Sequence, residues 1–148
     1  MDDNELFTKY LEMIQNVLER LARNSFQIKA WTATIFIAAI VLTYSIINTL
    51  IFIVLIAVIS LFWALDSYYL KQERLFRKLY EQKVNQFNDV LKKDKIVMFD
   101  MNVSIFQVSS VFKTMFSISE LLYYIAIIGT LVAFLITYLT LNWEILIQ

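Results

Sequence analysis

The chain contains no cysteine, histidine or proline, and only one glycine in 148 residues. Without cysteine there is no thiolate nucleophile and no disulfide, and without histidine there is no Ser-His-Asp relay and no common zinc site. One glycine is too few for a phosphate-cradling loop or a Rossmann turn. The sequence shows no metal-ligand set and no nucleophile–base pair. We therefore expect a protein that is not an enzyme and that carries no cofactor or metal.

Charged residues are missing from two long stretches. Asp, Glu, Lys and Arg are absent from the 36 residues Ala30–Leu65 and from the 23 residues Leu121–Trp143. A helix needs about 20 apolar residues to cross a hydrocarbon core of about 30 Å. The second stretch fits one crossing, and the first fits two short crossings joined by a turn at residues 44–49. We predict an all-α membrane protein with three transmembrane helices.

The positive charges predict the orientation. All 13 Lys and Arg residues lie before the first apolar stretch or between the second and third crossings, and none lies in the turn or after Trp143. The positive-inside rule then places the N-terminus and the middle segment in the cytoplasm, and the turn and the C-terminus outside. Trp31, Trp63 and Trp143 are expected near the two membrane interfaces, although Trp63 is also explained as a packing residue. No cleavable signal peptide is apparent.

The chain is predicted to divide into four segments. They are a cytoplasmic amphipathic helix (1–26), a transmembrane helical hairpin (27–69), a cytoplasmic helical segment with a connector (70–118), and a third transmembrane helix with an external tail (119–148). The apolar stripe of the first segment must be covered by the middle segment, by a neighbouring subunit or by the membrane surface.

The middle segment begins as an extension of the second crossing. Because neither glycine nor proline interrupts residues 70–91, one helix is predicted to run to about Lys92. Residues 96–108 are rich in β-branched and aromatic side chains and lack a helical period, so we predict an extended or loop connector there. A short helix is predicted at 109–118, and the third crossing is predicted to start at Ser119 or Glu120.

Asp66 lies near the inner end of the second crossing, where a carboxylate is costly unless it is hydrogen-bonded or hydrated. Helical spacing places Asp66, Tyr69 and Glu73 on one face, together with Arg77 and Tyr80. One interpretation is a polar seam that lines a vestibule or joins subunits and takes part in gating. The other is a carboxylate at the interface that makes a structural hydrogen bond.

The third crossing carries small and hydroxylated residues along one face. These are Ala126, Thr130, Ala133, Thr137 and Thr140, with Gly129 four residues before Ala133. Such residues let helices approach closely, or they line a pore with hydroxyl groups that face water. No ring of charges lies within this span, so we do not expect strong ion discrimination.

Seven cations in the middle segment are interleaved with the aromatic residues Tyr80 and Phe87. This composition suits anionic lipid headgroups. It also suits single-stranded nucleic acid, because cations hold phosphates while aromatic rings stack on bases. The cations are Arg74, Arg77, Lys78, Lys83, Lys92, Lys93 and Lys95.

Three stretches together carry a family resemblance. They are Asn24-Ser-Phe followed by Lys29 and Trp31, the run DSYYLKQERLFRKLY from Asp66 to Tyr80, and Phe116-Ser-Ile before the last apolar stretch. They resemble the HalA-like membrane effectors of the Hailong anti-phage defence system, small bacterial membrane proteins encoded beside nucleotidyltransferases. The resemblance covers most of the chain, and the run from Asp66 to Tyr80 is its most specific part.

The resemblance implies a homo-oligomeric channel in the bacterial inner membrane, with a tetramer expected. A partner nucleotidyltransferase would make single-stranded DNA oligomers that bind the cytoplasmic side and keep the effector inactive. Loss of the oligomer during infection would then lead to membrane disruption. Residues 74–80 become candidates for contact with the oligomer or with a neighbouring subunit. The compact outer turn leaves little outside the membrane for a receptor role.

Two other functions fit the residues as well. One is a membrane scaffold or accessory subunit without a channel, whose basic helix recruits a partner. The other is a holin-like toxin that permeabilises the membrane without any ligand. A flux measurement separates the three, because a scaffold never leaks and a holin-like toxin leaks whatever DNA is present.

Overall fold

A computed structural model of the protein describes residues 3–43, 49–89 and 96–147, with side chains at 3–41, 50–89 and 96–140. Within these ranges the protein is all-helical and contains no strand, as predicted. The helices are α1 (Asp3–Thr43), α2 (Thr49–Asn88), α3 (Val111–Met115) and α4 (Ile118–Ile147). The predicted turn at 44–48 and the side chain of Trp143 lie outside the described part.

Two helices are long and apolar enough to cross a membrane. Their most apolar windows have mean hydropathies of 2.5 in Leu50–Asn88 and 2.1 in Ile118–Thr140, and only 22% and 17% of these windows are buried inside the protein. The core helix of a soluble protein would be mostly buried, so this exposure fits contact with lipid. Among the described residues α1 does not meet the same criterion.

α1 joins the predicted amphipathic helix and the first predicted crossing in one 41-residue helix. Its N-terminal apolar stripe packs on the far half of α2 and on the connector, which is the first of the three coverings considered above. Phe7, Tyr10 and Ile14 are buried there beside Leu79. The ring of Phe7 stacks on Phe87 at a centroid distance of 4.0 Å. Burial of each such side chain stabilises the fold by roughly 1.5–3 kcal/mol.

α2 confirms the predicted helical continuation of the second apolar stretch. It runs without interruption to Asn88, and Lys92 lies outside the described residues. Glu73 and Arg77 form an i,i+4 ion pair at 2.7 Å. The distal half of α2 therefore continues the apolar half as one helix and carries its charged residues.

The connector at 96–110 is irregular, as predicted, and it folds through local side-chain bonds. Asp100 Oδ1 accepts from the Asn102 amide at 3.0 Å, and Asn102 Oδ1 accepts from the Ser104 amide at 2.9 Å. These bonds occupy backbone donors that a helix would otherwise use. The Ser110 hydroxyl caps α3 by accepting from the Lys113 amide. The predicted helix at 109–118 is thus the single turn α3, and α4 starts at Ile118.

Tyr10 anchors the connector to α1, because its hydroxyl donates to the backbone carbonyl of Asp100. Burial, and then the Asp100 carboxylate, raise the pKa of Tyr10 from 10.0 to about 12. The unfolded chain therefore loses this proton at a lower pH than the folded protein. We expect the stability due to Tyr10 to be complete below about pH 10 and to decline by at most about 1.4 kcal/mol per pH unit up to about pH 12.

The decline is measured by denaturant unfolding between pH 9 and 12 in native protein and in Tyr10→Phe. The variant should lose less stability over this range than native protein does. Tyr68→Phe, which alters an exposed tyrosine, is the matched control and should follow the native curve. Parallel curves for native protein and Tyr10→Phe would contradict the prediction.

Candidate functional site: an ionic triad and a basic groove

Three charged side chains meet where α1, α2 and α4 converge at the predicted inner end of the crossings. Lys29 Nζ bonds to Asp66 Oδ2 and also to Glu120 Oε1, the latter at 2.9 Å. The exposed fractions of the side chains are 25% for Lys29, 0% for Asp66 and 3% for Glu120. We call these residues the ionic triad. One cation is shared by two carboxylates, so the triad carries a net charge of −1 when all three groups are ionised.

Asp66 is fully supplied with hydrogen-bond donors. Besides Lys29, the Ser25 hydroxyl donates to Oδ1 and the Tyr124 hydroxyl donates to Oδ2 at 3.0 Å. These donors come from α1 and α4, so the carboxylate of α2 links all three helices. A buried carboxylate is tolerated under these conditions, because paired charges and several hydrogen bonds offset its desolvation.

Glu120 accepts fewer hydrogen bonds than Asp66 does. Oε1 accepts one bond from Lys29, while Oε2 is buried without a hydrogen-bond partner among the described residues. The Asp66 carboxylate bonds to the same ammonium group and repels Glu120. An unpaired buried acceptor costs about 1–3 kcal/mol. The α4 member of the triad is therefore the one held least firmly.

An aromatic group connects the triad to α3. The indole of Trp63 donates to the Met115 carbonyl at 3.2 Å, stacks on Tyr124 at 5.5 Å and meets Phe116 edge-on at 5.7 Å. The Tyr123 hydroxyl donates to the Lys29 carbonyl at 2.6 Å. The joint between α3 and α4 is thus packed on the same side chains that hold Asp66. Trp63 acts as a packing residue, whereas Trp31 is exposed.

The structure separates the three residues of the predicted polar seam. Asp66 faces α1 and α4 and makes the structural hydrogen bonds of our second interpretation. Tyr69 is half-buried beside Trp31 on the far side of α1, and Glu73 pairs with Arg77 along α2. A gating role for this seam stays a prediction.

A basic groove of about 580 Å³ lies between α2, the end of the connector and α3. Two of its features suit a phosphate chain. Four cations line it against one carboxylate, Glu81, and the Lys78 ammonium is positioned by donation to the Gln107 carbonyl at 2.8 Å. The cations are Arg74, Arg77, Lys78 and Lys113.

Other predicted ligand residues lie elsewhere. Lys83 is buried, with its ammonium 5.7 Å from the centre of the Tyr10 ring and near the Val97 carbonyl, so it does not join the groove. The Tyr80 hydroxyl accepts from Gln15 at the edge of the α1 contact. Lys92, Lys93 and Lys95 lie outside the described residues.

None of the described residues covers the small-residue face of α4. Ala126, Gly129, Thr130, Ala133, Thr137 and Thr140 are all exposed. Each threonine hydroxyl bonds to a carbonyl of its own helix, as Thr130 does to Ala126 at 2.8 Å and Thr137 does to Ala133 at 3.0 Å. A side-chain carbon added at Gly129 would meet no atom within 4 Å. The face is open to close approach by another helix.

Sequence reasoning missed several residues of these sites. Lys29 was used only for topology and Glu120 only as a helix start, although both are the charged residues that border an apolar stretch. Their position at the border of an apolar stretch was the signal available in the sequence. Ser25 and Tyr124 gave no such signal, because their role depends on helix packing. Lys113 was counted only as a topological charge, and the fold of the connector brings it to the groove.

No family model, curated protein or solved structure matches this chain.

Proposed function

We propose that the protein is a homo-oligomeric channel of the bacterial inner membrane, an effector of anti-phage defence that single-stranded DNA holds closed from the cytoplasm. The basic groove carries this proposal, because it gathers four cations at the junction of α2 and α3. Cations in a groove hold the phosphates of a single strand. The expected resemblance to HalA-like effectors supports the same ligand, and the two apolar helices support the membrane location.

The proposal includes α1 as a third crossing, with the N-terminus in the cytoplasm and the C-terminus outside. Beyond Lys29, α1 buries Thr32 and Ala39, and Phe36 packs on the core formed by Ile59 and Tyr124. Its other side exposes apolar residues such as Ile37. A helix that is apolar on its outer side and packed on two membrane-type helices is best placed in the lipid beside them.

Assembly into a ring, with four subunits as our working number, would use the uncovered face of α4. Small residues allow close helix contact in lipid, where no hydrophobic force drives helices together. The same ring would bring several basic grooves to one side of the membrane. A DNA strand that spans several grooves gains affinity from multivalency, and it keeps the channel closed only if it binds the closed state more tightly than the open one.

Ion flux from liposomes that contain the purified full-length chain tests this function. We expect leakage without DNA, closure on addition of a short oligothymidylate, and renewed leakage as salt is raised. Two to four phosphate contacts per subunit correspond to a slope of log affinity against log salt of about −1.4 to −2.8. Absence of flux in every condition would indicate the scaffold, and flux that ignores DNA would indicate the holin-like toxin.

A further inference from the structure

The two carboxylates of the ionic triad differ in how firmly they are held. Asp66 accepts from Ser25, Lys29 and Tyr124, whereas Glu120 accepts only from Lys29 and leaves Oε2 buried without a partner among the described residues. The two groups also repel each other. Moving Glu120 into water would remove both the unpaired oxygen and the repulsion. Moving Asp66 into water would remove the same repulsion, but it would break three hydrogen bonds.

The helix that carries Glu120 is also the one that can be displaced from the cytoplasmic side. α3 and α4 are joined only by Phe116 and Ser117, so a shift of α3 is passed directly to the first turn of α4. Lys113 of α3 lines the basic groove. Trp63 contacts both Met115 and Tyr124, and thus spans from this joint to the triad.

We propose that the Lys29–Glu120 ion pair is a releasable lock between α1 and α4, and that the Lys29–Asp66 pair is a permanent joint between α1 and α2. In the locked state α4 is held against the other two helices. In the released state Glu120 is hydrated and α4 moves away from α1, while α1 and α2 stay together. The lock depends on the proposed function in one respect only, which is that DNA bound in the basic groove would favour the locked state.

Electron–electron distance measurements between two spin labels test the lock directly. The native chain has no cysteine, so Arg20→Cys in α1 and Ile125→Cys in α4, both exposed, would carry the only labels. Excess unlabelled chain removes distances between subunits. We expect Lys29→Met to move the main distance population to longer values. Glu120→Gln, an amide of the same shape, removes the ion pair but keeps an acceptor for Lys29, so it should shift the distance population in the same direction by a smaller amount.

Lys9→Met is the matched control, because it removes a lysine from the exposed ion pair with Glu5. It should leave the distances unchanged. If Lys29→Met aggregates, the shift in Glu120→Gln alone decides. Unchanged distances in Glu120→Gln would overturn the lock. The measurement needs neither DNA nor flux, so the channel proposal can fail without affecting it. DNA-sensitive flux with unchanged distances would refute the lock alone.

Discussion

Replacement of Lys29 by methionine is expected to lower the free energy of unfolding by about 3 kcal/mol, the low end for loss of one partner from a buried ion pair. The reason is that Asp66 and Glu120 would face each other with no cation between them, so one of them must take up a proton or leave the site. The low end applies because a quarter of the Lys29 side chain is exposed and reaches water. Methionine retains the length and apolar stem of lysine, so the change tests the charge rather than the packing.

Unfolding in a detergent mixture, followed by circular dichroism, measures this loss. Lys9→Met is the control and should cost less than about 1 kcal/mol, since exposed i,i+4 pairs contribute little. Glu120→Gln should be neutral or stabilising, because it removes the charge that lacks donors. Asp66→Asn should cost more than Glu120→Gln, because its amide nitrogen would face the donor of Ser25 in one orientation, or those of Lys29 and Tyr124 in the other.

The test depends on the order of the free energies of unfolding of these variants. Loss of either carboxylate leaves the triad neutral, so charge alone predicts equal effects for Asp66→Asn and Glu120→Gln. The donor sets predict unequal ones. Equal stabilities for these two variants, or a Lys29→Met protein as stable as Lys9→Met, would show that the triad does not hold the three helices together.

The order of the helical segments followed from the sequence, but the fusion of the first two into α1 and the register of the helices did not. Uninterrupted apolar and helix-forming runs were enough to predict the long α2 and the start of α4. The ionic triad required more, because Lys29 and Glu120 are 91 residues apart and meet only if three helices pack at one height. Nothing in the spacing of charges along one helix determines the alignment of another.

Lys83 shows the same limit in the distal half of α2. It interrupts an otherwise apolar face of α2, and this interruption was visible in the sequence. Whether such a lysine reaches the surface depends on what covers the face. Because α1 places the Tyr10 ring there, the ammonium is buried over an aromatic ring instead of facing solvent. The composition of the segment predicted Lys83 as a ligand residue, but the packing of α1 on α2 buries its side chain.

Charge reversal in the basic groove, by Arg74→Glu combined with Lys78→Glu, is expected to weaken binding of single-stranded DNA by at least about 100-fold. Each charged hydrogen bond to a phosphate contributes about 1.5–3 kcal/mol, and two of them would be lost. Fluorescence anisotropy of a labelled oligothymidylate with the detergent-solubilised full chain measures the affinity. The slope of log affinity against log salt should become shallower by about 1.4, because two fewer phosphates are neutralised.

Arg20→Glu combined with Arg23→Glu is the matched control, since it makes the same change in net charge at two exposed positions of α1. If general attraction between the protein and the strand governed binding, both double variants would weaken it equally. If the groove binds the strand, the α1 variant should retain most of the affinity and the native salt slope. Competition with vesicles rich in anionic lipid separates the remaining alternative. A groove built for headgroups would release DNA to those vesicles. A groove built for a flexible strand should keep it, because a strand that spans several grooves gains affinity from multivalency.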